Sequence, residues 1–519
     1  MSIGFPSYCG YALFSLTFSF LVTGTCLAND RAISQQIDQL VERNYRKHGI
    51  KPNPKVADEL FVRRAYLDII GRIPTTAEAQ QFLRSDSSAK RGKLVSYLLK
   101  SDGHVSHAYN FWADILRVKS RMEGESGEAY AGWVKDSIKT NKPYNQLVHE
   151  LITAEGYIWD NGAVGYYMRD SGMPLDNMSN TTQIFLGTQL VCAQCHNHPF
   201  DKWKQKDYYE MAAYTYGMDT RIDPTDVINV GKKMSKMEKR AERRKSKDRG
   251  KTQQVRRAVR DLLEPLRYKV THKEEKKLKL PDDYQYDDAK PNEVVSASTL
   301  FGNSVSGRSS KKLQDYANWM TSNDNPRFAR VIANRLWKRV MGVGLVEPVD
   351  DFRDDTHSSN PDLMAYLEDT MVEVGFDMRR FQAILYNTRT YQRESTPDDI
   401  NIDDYHFPGP ALKRMTGEQI WDSVLTTIIT APDERKKSDK YRQRYVAMKK
   451  RAEGLESLRK QPQVILNAAM EIADVEYAHE QKTKNLRAQI AKAREQDQDD
   501  RAKKLTKDMR AAGKDRDKL

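Results

Sequence analysis

The sequence predicts a mainly α protein: two helical globular domains joined by a charged linker, with a long charged C-terminal helix. Three observations predict it. Apolar residues recur at helical spacing through residues 30–119 and 296–431, and strand-like alternation is rare. Gly and Pro punctuate each periodic stretch. Between and beyond the two periodic regions the chain is charge-rich and apolar-poor. The 519 residues are enough for sizeable cores, and a mean hydropathy of −0.76 fits globular parts attached to solvated helix.

The chain opens with an apolar stretch, Tyr11 to Val22, followed by Cys26-Leu27-Ala28. Residues 1–28 read as an export signal cut before Asn29, although no Lys or Arg precedes Arg31. The stretch is short for a membrane span. The expectation is a periplasmic or extracellular protein with no transmembrane span after cleavage.

Residues 29–225 read as the first helical domain. Ile33, Ile37, Leu40 and Val41 mark its first helix, stopped by Gly49. A second runs from Val56 to Ile70, with Gly71 and Pro74 beyond. Thr75 and Glu78 form a capping box for the third. Val95, Leu98 and Leu99 mark a fourth, and His107, Phe111, Trp112, Ile115 and Leu116 a fifth. Short helices follow over 132–140 and 144–153. Gly156 to Pro174 reads as an ordered aromatic loop. Asn180 to Val191 reads as a helix that delivers Cys192, and Lys204 to Tyr216 as an aromatic-rich one.

Residues 226–295 read as the linker. Its basic run, Lys232 to Lys251, carries much of the net charge of +13 and has almost no apolar residues. Without interleaved aromatics, and in an exported chain, it reads as solvated, and no nucleic acid is expected. Residues 296–431 read as the second domain. Asn325-Pro326 opens a helix through Val331, Ile332, Leu336, Trp337 and Val340, which Gly342 and Gly344 end. Pro361 opens the next, Phe381, Ile384 and Leu385 continue the core, and Ile420, Trp421, Val424 and Leu425 complete it. Glu347, Asp350, Asp351, Asp354 and Asp355 cluster around Arg353, lack the EF-hand spacing of a calcium site, and read as a solvated turn salt-bridged to Arg327, Arg330 or Arg335. Residues 432–519 alternate charge and read as a solvated helix or one that needs a partner.

The chemistry concentrates in Cys192-Ala193-Gln194-Cys195-His196-Asn197-His198. The chain has four Cys, and Cys9 and Cys26 fall within the signal, so a mature chain keeps only this pair. C-x-x-C-H is the spacing of covalent haem c attachment, with thioethers at Cys192 and Cys195 and His196 as axial ligand. His198, Met168, Met211, Met218, His107 and His149 are candidates for the second axial position. Cys and His are also zinc donors, with His196 and His198 as metal ligands, but four donors in seven residues strain a tetrahedron. A disulfide is the third option. No Ser-His-Asp set, P-loop, dinucleotide fingerprint or glycosidase carboxylate pair is legible, so the residues assign no enzymatic activity.

Leu186 to Trp203, together with Phe61-Val62-Arg63-Arg64-Ala65-Tyr66-Leu67-Asp68 and Gly71-Arg72-Ile73-Pro74, resembles a planctomycete family of cytochrome-c-associated domains of unknown function. Asn325 to Trp337, Gly344 to Arg353 and Asn387 to Gln392 resemble its usual C-terminal partner domain. The resemblance implies a secreted, mostly helical two-domain protein and no settled activity. The expectation is an exported electron carrier or redox partner with one haem c and an extracellular partner protein. The alternative is a non-redox interaction scaffold whose Cys/His segment binds zinc or forms a disulfide.

Overall fold

The computed structural model describes residues 12–122, 125–220, 225, 228, 230–243, 248–301, 311–397, 405–429, 432–433 and 440–516. The start of the expected export signal and residues 244–247 of the basic run lie outside them. The first helices are α1 (Ala12–His48), α2 (Asp58–Ile70), α3 (Thr76–Leu83), α4 (Lys90–Leu99), α5 (Asp102–Ile115), α6 (Glu128–Lys139) and α7 (Tyr144–Ile152). Next come α8 (Gly165–Met168), α9 (Pro174–Leu186), α10 (Gln205–Ala212), α11 (Gly231–Arg243), α12 (Asp248–Leu262), α13 (Lys312–Met320) and α14 (Phe328–Met341). The series ends with α15 (Pro361–Glu373), α16 (Met378–Tyr386), α17 (Gly417–Ile428), α18 (Lys440–Ser457), α19 (Pro462–Glu495) and α20 (Asp499–Arg516). Strands among the described residues are two to four residues long. The fold is mainly α. No described helix is long and apolar enough to cross a membrane.

Local signals place most of these helices. Ile33, Ile37, Leu40 and Val41 are buried along α1. Gly71 ends α2 at φ +79°, its N–H reaching the Tyr66 and Leu67 carbonyls, which only a residue at ease in left-handed backbone does cheaply. Thr75 caps α3: its Oγ1 accepts from the Glu78 N–H at 3.2 Å, and Glu78 Oε2 accepts from the Thr75 N–H at 2.7 Å.

Residues 1–154, 165–218 and 272–437 group into one compact unit. It draws on both stretches read as separate domains, because their apolar faces share a core. The Tyr144 ring of α7 lies 5.0 Å from Phe328 of α14 and 6.3 Å from Phe185 of α9, and Phe328 lies 5.4 Å from Phe376. Backbone bonds join the same parts, from Tyr144 N to Phe376 O at 3.0 Å and from Phe352 N to Gly187 O at 2.7 Å. Of the expected linker, residues 272–295 belong to this unit. The acidic segment is a set of side-chain bonds, and of its expected partners Arg327 lies 3.8 Å from Asp354, while Arg330 pairs with Glu368 and Arg335 donates to the Ile184 carbonyl; Arg353 pairs with Asp351, Lys338 with Glu347, Gln183 with Asp350 and Lys202 with Asp354.

One helix of this unit reverses its expected face. Ile420, Trp421 and Val424 of α17 are exposed, Trp421 by 62%, whereas Ser423 and Thr426 are buried. Polar contacts hold the helix: Ser423 Oγ accepts from the Ile73 N–H at 3.2 Å, and Gln419 Nε2 donates to the Leu67 carbonyl at 2.9 Å.

Residues 155–164, 219–271 and 438–519 form the second unit. The described part of the basic run is helical in α11 and α12. The end of the run enters α12, which packs along α19, with Val255, Ala258 and Val259 buried on one helix and Ile465, Leu466, Ala469 and Ala473 on the other. Lys251 pairs with Asp474 at 2.5 Å and Gln254 donates to Glu480 at 2.6 Å. The tail thus finds its partner within the chain. Trp159 is core here: its Nε1 donates to the Pro265 carbonyl at 2.8 Å and its ring meets Tyr268 and Tyr445.

Candidate functional site

The helix leading to the cysteines begins and ends earlier than its periodicity suggests. Pro174 takes the first helical turn of α9, where its missing N–H costs nothing. Gly187 ends the helix at φ +57°. A Cβ there would meet Phe352 Cδ2 at 2.7 Å, so glycine is required by both backbone and neighbour. The chain then forms a 3₁₀ turn, Val191–Gln194, which carries Cys192.

Two buried side chains, Leu190 and Ala193, pin this turn to the core. Cys192 is half-buried, and Cys195 and His196 are exposed. The Cys195 and His196 N–H groups both reach back to the Cys192 carbonyl at 3.4 Å. That closes one helical turn, and residues at i, i+3 and i+4 of a turn share a face. Both thiols are free.

Downstream, polar bonds fix the loop. Asn197 N donates to the Tyr286 hydroxyl at 2.8 Å, and Asn197 Oδ1 accepts from the Gln205 N–H at 2.9 Å. Buried Gln205 donates from Nε2 to the Gln194 carbonyl at 3.1 Å. His196 Nδ1 lies 2.8 Å from the Asn197 carbonyl, which sets the proton on Nδ1 and leaves Nε2 with its lone pair. His198 N donates to the Trp203 carbonyl at 2.8 Å, while its Nδ1 accepts from the Phe200 N–H at 3.2 Å. Burial raises the Tyr208 and Tyr209 phenols beside Cys195 above their ordinary value, so both stay neutral. Val191 and Phe200 leave large apolar surfaces in solvent, Phe200 by 76%.

The remaining candidate ligands lie elsewhere or are enclosed. Met168, Met211 and Met218 are buried, and His149 of α7 contacts the Gln314 and Asn318 side chains of α13. His107 lies against Gly71. Among the described residues no three His, Cys, Asp or Glu side chains gather into a group that would hold a metal ion, so His196 and His198 have no built tetrahedral site.

A second concave place carries no sequence signal, because its residues come from distant segments. Asp68, His107, Arg339 and Lys413 line one cavity in the first unit. Asp68 closes the Phe61–Asp68 motif that carries the family resemblance, and nothing in that motif points to the other three.

Residues 36–220 match the family model PSCyt2, a protein of unknown function (DUF1549), and residues 313–504 match PSD1, a protein of unknown function (DUF1553). The chain therefore carries both domains, the second C-terminal to the first. No curated protein and no solved structure matches it.

Proposed function

We propose that this chain, with its pair of domains of unknown function, is an exported redox protein that carries one haem c on the Cys192–His196 turn. One observation carries the reading. A single turn, pinned by Leu190 and Ala193, groups two free thiols and an imidazole whose Nδ1 is already engaged by a backbone carbonyl. That donor set suits the group: Cys192 and Cys195 for attachment, His196 Nε2 for axial ligation.

Cys192 and Cys195 would hold the haem through thioether bonds, and His196 Nε2 would ligate its iron. Once bound, haem supplies reversible one-electron transfer. The Asn197 carbonyl holds the His196 proton and ring orientation. Gln205 fixes the loop at Gln194 and Asn197, keeping thiols and imidazole in register. Val191 and Phe200 offer apolar cover to a ring face. An accessible turn suits exchange of electrons with a partner protein. Attachment of this kind takes place outside the cytoplasm, which agrees with the signal-like residues 1–28.

The test is expression of the full chain in a host with c-type attachment machinery, followed by the visible spectrum of the denatured protein. The expected result is one covalent haem per chain, abolished in the Cys192→Ala/Cys195→Ala double variant. Absence of covalent haem while a control cytochrome matures would overturn the reading. Stoichiometric zinc in that sample would favour the scaffold alternative.

A further inference from the structure

The cavity in the first unit has a volume of about 610 Å³. Residues of α2, His107 of α5, Arg339 of α14 and the stretch 410–419 line it. Its charge is lopsided. Arg63, Arg64, Arg339, Lys413 and Arg414 face only two acids, Asp68 and Glu394.

The acids do not neutralise the deepest cation. Asp68 is taken up on both oxygens, by Lys413 Nζ at 2.7 Å and by the Tyr391 hydroxyl at 2.9 Å. Lys413 Nζ also donates to the Arg339 carbonyl at 3.0 Å. The Arg339 guanidinium lies 4.2 Å over the Phe111 ring. Arg339 lines the cavity, and none of its guanidinium nitrogens has a hydrogen-bond partner among the described residues. A buried donor on a fixed cation is costly to leave unpaired. Burial first, and Arg339 next, hold His107 well below the ordinary imidazole range, so at neutral pH it supplies hydrogen bonds and no charge.

The remaining wall is apolar. Leu67 and Met415 line it with Leu60 and Leu412, and those two leucines are more than half exposed, at 57% and 54%. A small inorganic anion would leave this wall unused, and a neutral hydrophobe would leave Arg339 unpaired. The guanidinium fork matches a carboxylate, and the excess of cations in the lining calls for negative charge.

We propose that this cavity binds a medium-chain organic carboxylate, its head at Arg339 and its hydrocarbon body along Leu60, Leu67, Leu412 and Met415. The inference is independent of what the Cys192–His196 turn carries. The test uses the full chain and a fluorescent probe, dansylaminoundecanoic acid, displaced at neutral pH by octanoate, octanol or acetate. Saturable probe binding is expected, with octanoate displacing it at about tenfold lower concentration than octanol or acetate. Arg339→Gln raises the octanoate midpoint about tenfold by removing the charged partner. Leu412→Asp, at a position exposed enough to leave the fold intact by circular dichroism, weakens octanoate as well. No saturable binding, octanol matching octanoate, or parent-like affinity in both variants would overturn the proposal. Leu412→Asp decides the matter if Arg339→Gln does not fold.

Discussion

Two buried histidines set how the protein answers to acid. His104 of α5 keeps its Nδ1 3.1 Å from the Ile69 carbonyl. Burial is the main force pulling its pKa down to about 4, with Arg339 and Arg379 adding repulsion. His107 is displaced the same way. Each therefore binds fewer protons folded than unfolded. Their stabilisation is complete above the ordinary value of 6.5 and is lost as pH falls towards the folded value. For His104 alone the loss amounts to ~3 kcal/mol between pH values of about 8 and 4. Asp58 and Glu78 are held below the ordinary carboxylate range, so the stability they add is lost from that range downward, overlapping only the acid end of the histidine window. Urea midpoints measured across that window should fall steadily with acid, and the slope should flatten in a His104→Gln/His107→Gln variant. An unchanged midpoint from neutrality to about pH 4.5 contradicts the assignment. At Gly187 the expectation is steric. Ala there forces a Cβ to 2.7 Å from Phe352 at φ +57°, costing about 2–4 kcal/mol and shifting the cysteine turn. Thermal melting and thiol-labelling rates measure the two effects. Residue-scale legibility was uneven for a physical reason. The Cys192–His196 motif and the Thr75–Glu78 box are local in sequence, so spacing reveals them. Arg339 meets Asp68, His107 and Lys413 only after the chain has folded, and although Asp68 closes the Phe61–Asp68 motif, no spacing links the four.

At the scale of elements, sequence periodicity states which face of a helix is apolar and leaves open whether that face is covered. The α17 helix makes the point: the residues read as core are exposed, and its Ser and Thr are buried. The start of α9 was legible in principle, since Pro174 suits a first helical turn, but a Gly- and Tyr-rich approach reads equally well as loop. The opposite lesson comes from α12. The charged helix that follows from the end of the basic run is held because Val255, Ala258 and Val259 meet Ile465, Leu466, Ala469 and Ala473 of α19, more than 200 residues downstream. Val259 sits at that contact and is fully buried. Val259→Asp places an unpaired carboxylate there, at a cost of several kcal/mol. Hydrogen exchange should show α12 and α19 losing protection together, with α14 and α15 unchanged. If α12 and α19 keep their protection, they are not stabilising one another.

The whole molecule is discontinuous in sequence, and this bears on what can be removed from it. The first unit is assembled from three chain segments, and the second from a short segment, an insertion and the C-terminal region. The match to the second family model, residues 313–504, runs from α13 into α20 and so spans parts of both units. A chain ended after Lys437 keeps every residue of the first unit and deletes α18, α19 and α20. It also strips α12 of the helix that covers Val255, Ala258 and Val259. Residues 219–271 should then become susceptible to protease, because a helix that short and that charged does not persist alone in water. The first unit keeps its own aromatic core around Tyr144, Phe328 and Phe376, so α14 to α16 should stay resistant. The Cys192–His196 turn and the Arg339 cavity both lie within that unit. Haem attachment and octanoate displacement should therefore survive truncation. Limited proteolysis with mass mapping, run beside those two assays, checks the division. Collapse of the first unit on truncation would mean that its stability depends on the charged helices, which its internal packing gives no reason to expect.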